Sequence, residues 1–423
     1  MKYWRNDTEK TQLKIFILKG LKMIKTIDTK NFSLLLLVLA TSLFGQNGLP
    51  KIYSGDAQKI FSLRKAYLNG ELKNENAIKY LKRQADKLLS MTPLSVTDKE
   101  QIPPSGDKHD YMSMGKYWWP DPNTKDGLPY IRKDGEVNPE VKGISDATNI
   151  GKTISAVEVL STAFYITNDS KYSFKASQIL HVMFIDEKSK MNPNLNYAQF
   201  VPGRNEGRGS GIIDVHGFYR LIDAISLLEN ANEWMKDDDT KIRSWFEEYL
   251  LWLQTSKNGL AEAKAKNNHG TWYDVQIVSI LLFLDRSNEA KSYLESVSKK
   301  RIDLQIKEDG KQLEELKRTK AMSYTLFNLK AYFKLSVLAD KVGLDLWNYN
   351  GKNGGSIRKA LDYFLPFVQD STKWEYQQIE SFKNDDVYPL LVIAKKKYDE
   401  KTYGDWIRKI FPDNIKISIP NFL

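Results

Sequence analysis

The sequence predicts an all-α fold, an incomplete α/α toroid (barrel) built from antiparallel helix pairs with long ordered loops. Three observations lead there. Helix-period apolar segments recur along most of the chain, alternating strand patterns are scarce, and no repeat of constant period marks a regular solenoid. Paired helices over such a length can curl so that each buries one face and the loops build a central cleft. With 423 residues, 41% of them apolar, the chain can bury a substantial core.

Lys25 and Lys30 precede the apolar run Phe32–Ala40, which is followed by small residues and Gly45-Gln46. This pattern reads as a signal peptide over residues 1–45. The run is shorter than the roughly 20 apolar residues of a spanning helix. Stable membrane insertion after removal of the leader is therefore not expected, and a mature chain beginning near Gln46, periplasmic or secreted, is. The basic stretch Met1 to Lys22 is long for a leader, and Met23 makes a more ordinary start. Residues 46–423 are expected to form a single domain.

From about Asn74 onward helix periods dominate. Ile154, Val157, Leu160 and Phe164 share one face, as do Leu221, Ile222, Ile225 and Leu228, and both segments read as amphipathic helices. Similar patterns recur over Trp245–Leu253, Val275–Leu284, Leu326–Leu338, Ile357–Val368 and Val387–Ala394, separated by polar turns.

Charge and cysteine usage narrow the function. The formal net charge is +10, but residues 1–45 carry eight Lys/Arg and three Asp/Glu, so the remainder holds 55 basic against 50 acidic residues. A global nucleic-acid-binding surface loses its support, while a local basic cleft for a polyanion remains compatible. With no cysteine in the chain, a disulfide framework, a thiolate zinc site and a Cys nucleophile are all excluded.

Two stretches depart from helical patterning. Residues 103–140 contain Pro103-Pro104, Tyr117-Trp118-Trp119-Pro120-Asp121-Pro122, Gly127 and Pro129-Tyr130. They are too rich in proline for a helix and too aromatic for a disordered linker, so an ordered loop packed against the barrel is expected. A second loop runs from Asn192 to Gly209 and includes Arg204 and Arg208 among amides and glycines. Such loops line sites, although arginines in loops are commonly just solvated.

The four histidines are His109, His181, His216 and His269. Their spacing forms no compact metal motif, and no metal or cofactor is expected. His181 lies in an apolar stretch and reads as a satisfied structural histidine. His269 stands in Asn267-Asn268-His269-Gly270-Thr271-Trp272-Tyr273, directly before a helix pattern. Either asparagine can simply cap that helix. Alternatively, amide and imidazole donors gather at a helix N-terminus, where the dipole suits a carboxylate. A further cluster, Glu314 to Tyr324, opens another helix. If that helix starts early, Arg318 and Tyr324 lie nearly two turns apart and address one cleft. The plainer reading is a solvated Arg and a Tyr at the core boundary.

Asn267-Asn268-His269, followed some fifty residues later by Arg318-Thr319-Lys320 and Tyr324, resembles the alginate lyase family with an α/α toroid fold. The likeness extends to His109-Asp110-Tyr111-Met112-Ser113, Tyr117 to Pro122, Asp126 to Ile131 and Pro202 to Gly209, spanning roughly residues 100–330. It implies a polysaccharide lyase that cleaves an acidic, uronate-containing glycan by β-elimination, with Asn268, His269, Arg318 and Tyr324 as catalytic residues. Tyr117, Trp118, Trp119, Arg204, Arg208, His216, Asn267, Trp272, Tyr273 and Lys320 are expected to contact the polysaccharide. Alginate as poly-mannuronate is the expected substrate, with glucuronan or another polyuronate as the alternative. Tyr324 is expected to transfer protons when the C5 proton and the leaving oxygen lie on one face, if nearby cations lower its pKa, with His269 as the base when they lie on opposite faces. Two other classes stay in view. A toroidal glycoside hydrolase would draw its acids from Asp214, Asp274 or Glu315, and a non-catalytic glycan-binding protein would stack sugars on Trp118, Trp119 and Trp272.

Overall fold

The structure is a computed structural model, and the residues it describes are 48–72 and 75–412. The leader read at residues 1–45 lies outside them. Fifteen α-helices form within the described residues, and they sort into two layers by burial. The first are α1 (Ala57–Leu68) and α2 (Asn76–Leu88), followed by α3 (Asp146–Thr167), α4 (Ser170–Leu180), α5 (Phe218–Ser226), α6 (Lys236–Thr255) and α7 (Lys257–Ala263). Then come α8 (Asn268–Phe283), α9 (Ser287–Tyr293), α10 (Lys299–Gln305), α11 (Leu313–Leu316), α12 (Ala321–Asp340), α13 (Ile357–Gln369), α14 (Tyr388–Lys397) and α15 (Glu400–Ile410).

Helices α3, α8 and α12 are buried on nearly all faces, as expected of an inner layer covered from both sides. The segment around Ile154 is therefore not the amphipathic helix expected from four apolar positions, because Glu158, Val159 and Thr162 on its other faces are buried as well. The short α5 completes this layer, packing against α3 on one side and α8 on the other, and α8 in turn packs against α12. Helices α1, α2 and α4 cover α3, α6 lies against α8, and α13 against α12. Helix α1 precedes Asn74 and was not marked by periodicity.

Local chemistry explains the pairing. Asn168 adopts the left-handed conformation at the C-terminus of α3 (φ 60°), and Asp169 at once caps α4 by accepting from the Lys171 N–H, so the chain reverses in two residues. Ser256 ends α6 and caps α7, its Oγ accepting from the Gly259 N–H at 3.0 Å. The turn after α7 delivers the chain to the start of α8.

The two exceptional loops form one layer. Strand β1 (Met112–Met114), from the first loop, pairs in parallel with β4 (Tyr197–Phe200), from the second. Within the first loop β2 (Trp118–Trp119) pairs antiparallel with β3 (Ile131–Arg132). These strands span two to four residues, too few for alternation to be visible in the sequence.

Candidate active site

The N-terminus of α8 carries Asn268 and His269, with Asn267 as its cap. Asn267 Oδ1 accepts from the His269 N–H at 3.3 Å, so the plainer capping reading holds for Asn267. Asn268 is fully covered and held by Glu315 of α11. Its backbone N–H donates to Glu315 Oε1 at 2.6 Å, and its Nδ2 to Oε2 at 2.7 Å. A protein carboxylate therefore occupies the place at this helix terminus where a substrate carboxylate was expected. The donors left for substrate belong to side chains rather than to backbone amides. Glu315 is 1% exposed. Burial lifts its carboxyl to about 7, against the opposing pull of the Asn268 hydrogen bonds and the Arg318 charge. His269 places Nδ1 2.7 Å from Glu262 Oε1, with its side chain about one-fifth exposed and Glu262 buried.

Arg318 does not share a helix with Tyr324. Helix α11 stops at Leu316 and α12 begins at Ala321, leaving Arg318 in the turn between them. It reaches Tyr324 by folding back, its guanidinium 3.6 Å from the ring centroid. Asp134, from the first loop, fixes it there. Arg318 Nε donates to Asp134 Oδ2 at 3.0 Å and Nη2 to Oδ1 at 2.7 Å, while Thr319 N–H and Oγ1 also donate to this carboxylate. Burial acts to raise the Asp134 carboxyl, but the Arg318 and Thr319 hydrogen bonds hold it well below the usual carboxylate range.

The Tyr324 hydroxyl lies 2.8 Å from the Tyr117 hydroxyl. The expectation that cations lower its pKa is corrected for the substrate-free protein. Burial pushes Tyr324 well above the ordinary tyrosine value, and the opposing influence of Arg318 is smaller. Contacts thus run from Asn268 to the Glu315 carboxylate, from the Glu315 carbonyl to the Arg318 backbone N–H at 3.1 Å, and from the Arg318 guanidinium to Tyr324 and Tyr117.

His216 sits between α8 and α12, edge-on to Trp272 at 4.9 Å and to Phe327 at 5.3 Å. Its Nδ1–H donates to the Ile213 carbonyl at 2.8 Å, and burial pushes the imidazole below the ordinary histidine range. Trp272 and Tyr273 are corrected to core positions. Each is 3% exposed, Trp272 stacks on Tyr219, and the Tyr273 hydroxyl donates to the Leu253 carbonyl at 2.8 Å. A buried ring offers no free face to a sugar. Trp118 is partly exposed but has Arg204 and Arg208 at 5.1 and 5.5 Å from its ring, and Trp119 has Lys133 at 5.1 Å. Arg208 also donates to the Gln199 carbonyl and side chain, and Arg204 to the Tyr130 carbonyl. Lys320 is paired with Glu380 at 2.7 Å.

The carboxylates nominated for hydrolysis are all committed elsewhere. Asp214 accepts from Tyr111, Ser113 and Gln199, Asp274 from Arg301, Tyr293 and Ser298, and Glu315 from Asn268. The residues missed by sequence reasoning are Asp134 and Glu262. The sole local signal at Asp134 is the Asp-Gly turn it forms with Gly135 (φ +81°), and its partner lies 184 residues away. Among the described residues no group of three or more His, Asp or Glu side chains gathers to hold a metal, and no helix is long and apolar enough to cross a membrane.

The alginate lyase family model matches residues 95–374. The crystal structure of an alginate lyase from Bacteroides ovatus is 38% identical with a TM-score of 0.83, and the match covers 86% of this chain and 97% of that one. Alginate lyase A1-III from Sphingomonas species A1 matches at 16% identity and a TM-score of 0.51, covering 88% and 93% of the two chains. Alginate lyase A1-III complexed with a tetrasaccharide, in a histidine-to-alanine variant, matches at 15% identity and a TM-score of 0.54, covering 83% and 91%. These two distant likenesses speak for the fold alone. No curated protein matches the chain. An α/α toroid with this relationship is a polysaccharide lyase, a carbon–oxygen lyase. The chain belongs to the alginate lyase family.

Proposed function

We propose that the enzyme is exported and cleaves alginate, poly-mannuronate in preference, by β-elimination to unsaturated oligosaccharides. The observation that carries this reading is the contact run from Asn268 through Glu315 and Arg318 to Tyr324 and Tyr117, in a chain of this family.

Elimination breaks the C5–H bond and the C4–O4 bond of a uronate and forms the C4–C5 double bond, with a proton passing to O4. The C5 proton is weakly acidic because the adjacent carboxylate resists a carbanion. The Nδ2–H of Asn268 not held by Glu315 and the His269 ring, with the Arg318 guanidinium nearby, neutralise that carboxylate and stabilise the developing enolate. Tyr324, as its phenolate, takes the C5 proton and then returns it to O4, which balances the proton count when both lie on one face of the sugar. Burial keeps Tyr324 neutral in the free enzyme, so its ionisation is part of reaching the reactive complex, and Arg318 favours it.

The test is incubation of the purified mature protein with poly-mannuronate, poly-guluronate, glucuronan and glycosaminoglycans. Products lighter by one water than hydrolysis products, absorbing in the ultraviolet and formed fastest from poly-mannuronate, are expected. Saturated products, or none, contradict the reading. Export is checked by N-terminal sequencing. A mature terminus near Gln46 is expected, and retention of Phe32–Ala40 in the exported protein speaks against it.

A further inference from the structure

Two buried carboxylates outside the proposed proton-transfer and charge-neutralising set each hold one member of the Asn268–His269 pair. Glu315 spends both oxygens on Asn268, one on the backbone N–H and one on Nδ2. Glu262, on α7, places Oε1 2.7 Å from His269 Nδ1. Among the described residues Glu262 makes no ion pair but this one, and Glu315 makes none. Burying a carboxylate without a permanent cation costs stability. Here that cost coincides with fixed rotamers for two consecutive residues on one helix turn.

We infer that Glu262 and Glu315 are positioning residues for the elimination: Glu262 fixes the His269 ring and its Nδ1–H tautomer, and Glu315 clamps the Asn268 amide. The inference rests on the proposed role of Asn268 and His269 at the substrate carboxylate. An ionised Glu262 only accepts, so the Nδ1 it meets must carry the proton. Nε2 is then the ring nitrogen left for the cleft, and it donates to the substrate carboxylate when the ring carries its second proton. Likewise, Nδ2–H bound to Glu315 directs Oδ1 and the second Nδ2–H of Asn268 away from α11, and a flipped amide would set its oxygen against a carboxylate. A glutamine at either position keeps the shape and loses the instruction, because its amide both donates and accepts.

Nitrogen NMR of histidine-labelled protein tests this, since only four histidines occur and a His269→Ala variant assigns the ring. Wild-type His269 is expected to show a protonated Nδ1, and a neutral ring carrying its proton on Nε2 overturns the inference without recourse to any variant. Glu262→Gln is expected to shift the signal toward the Nε2–H form. Glu262→Gln and Glu315→Gln should each lower kcat by roughly 10–100-fold with KM little changed, as loss of an orienting partner does elsewhere. Wild-type kcat in either folded variant removes that residue from the inference. The underlying reading fails separately, if His269→Ala keeps normal turnover or the wild type makes no unsaturated product. An inactive His269→Ala beside unaltered glutamine variants refutes positioning alone.

Discussion

Asp134 and Glu315 show how far a single side chain's partner decides its meaning. Asp134 balances Arg318 by accepting from its Nε and Nη2 and accepts from the adjacent Thr319, so it sets where the guanidinium stands over Tyr324. Asp134→Asn preserves size but removes the anion. The expected outcome is a turnover loss reaching about 10²-fold, as misplacement of reacting groups by an ångström produces, measured with short uronate oligosaccharides. Glu315 has a different signature. Burial lifts its folded-state value to about 7, so between the ordinary carboxylate value and about 7 the folded protein holds a proton that the unfolded chain has released. Its contribution is fully present below the unfolded value and is lost as pH rises through about 7. Urea unfolding at about pH 5 and about pH 8 should show wild type losing roughly 3 kcal/mol more than Glu315→Gln over that interval. Comparison with the variant cancels Asp146, which burial lifts to about 6. Ionised Glu315 accepts both Asn268 donors, so the protonation state that favours folding is the one that weakens the clamp. His269, Arg318 and Tyr324 were legible from motif resemblance. Glu315 was legible only as a possible hydrolytic acid, Asp134 only as a turn residue before Gly135, and Glu262 not at all, because neither a salt bridge across 184 residues nor a side-chain hydrogen bond to His269 leaves a local pattern.

At the scale of elements, the start of α8 is locked by α7 and α10. Arg301, on α10, donates to both oxygens of Asp274 at 2.8 Å and to the carbonyls of Ala263, the last residue of α7, and of Ala265 just beyond it. Gly270, next to His269, passes so close that an added Cβ would collide with the Arg301 guanidinium and the Ala265 carbonyl. Alanine for glycine usually favours a helix. Here Gly270→Ala is expected to destabilise by about 1–3 kcal/mol through overpacking and to displace His269, so thermal unfolding and turnover should fall together. A variant as stable and active as wild type would show that this junction yields freely. Periodicity revealed the helices that present one apolar face, as at Leu221–Ile225, but could not separate an inner helix from an outer one. Inner helices such as α3 bury Glu158 and Thr162, polar residues that an amphipathic reading assigns to solvent. The break between α11 and α12 was missed because Lys317 to Lys320 are ordinary helix formers, and the turn is set by Asp134 from outside.

Across the whole molecule, the inner layer α3–α5–α8–α12 and the paired loop strands bring Tyr117 and Tyr324 together from 207 residues apart. The all-α class and the ordered loop over residues 103–140 followed from composition and period. The pairing of that loop with the Asn192–Gly209 loop did not, since strands of two to four residues carry no readable alternation. The central claim is that Tyr324 moves the protons. Tyr324→Phe removes one hydroxyl and leaves the ring under Arg318, so kcat on poly-mannuronate oligosaccharides should fall by about 10²–10⁴-fold while binding stays nearly unchanged. Because burial raises Tyr324, wild-type kcat/KM should go on climbing with pH above the range in which Glu315 ionises, and the residual activity of the variant should lose that further climb. A correctly folded Tyr324→Phe enzyme with near-normal kcat and the wild-type pH profile would contradict the account.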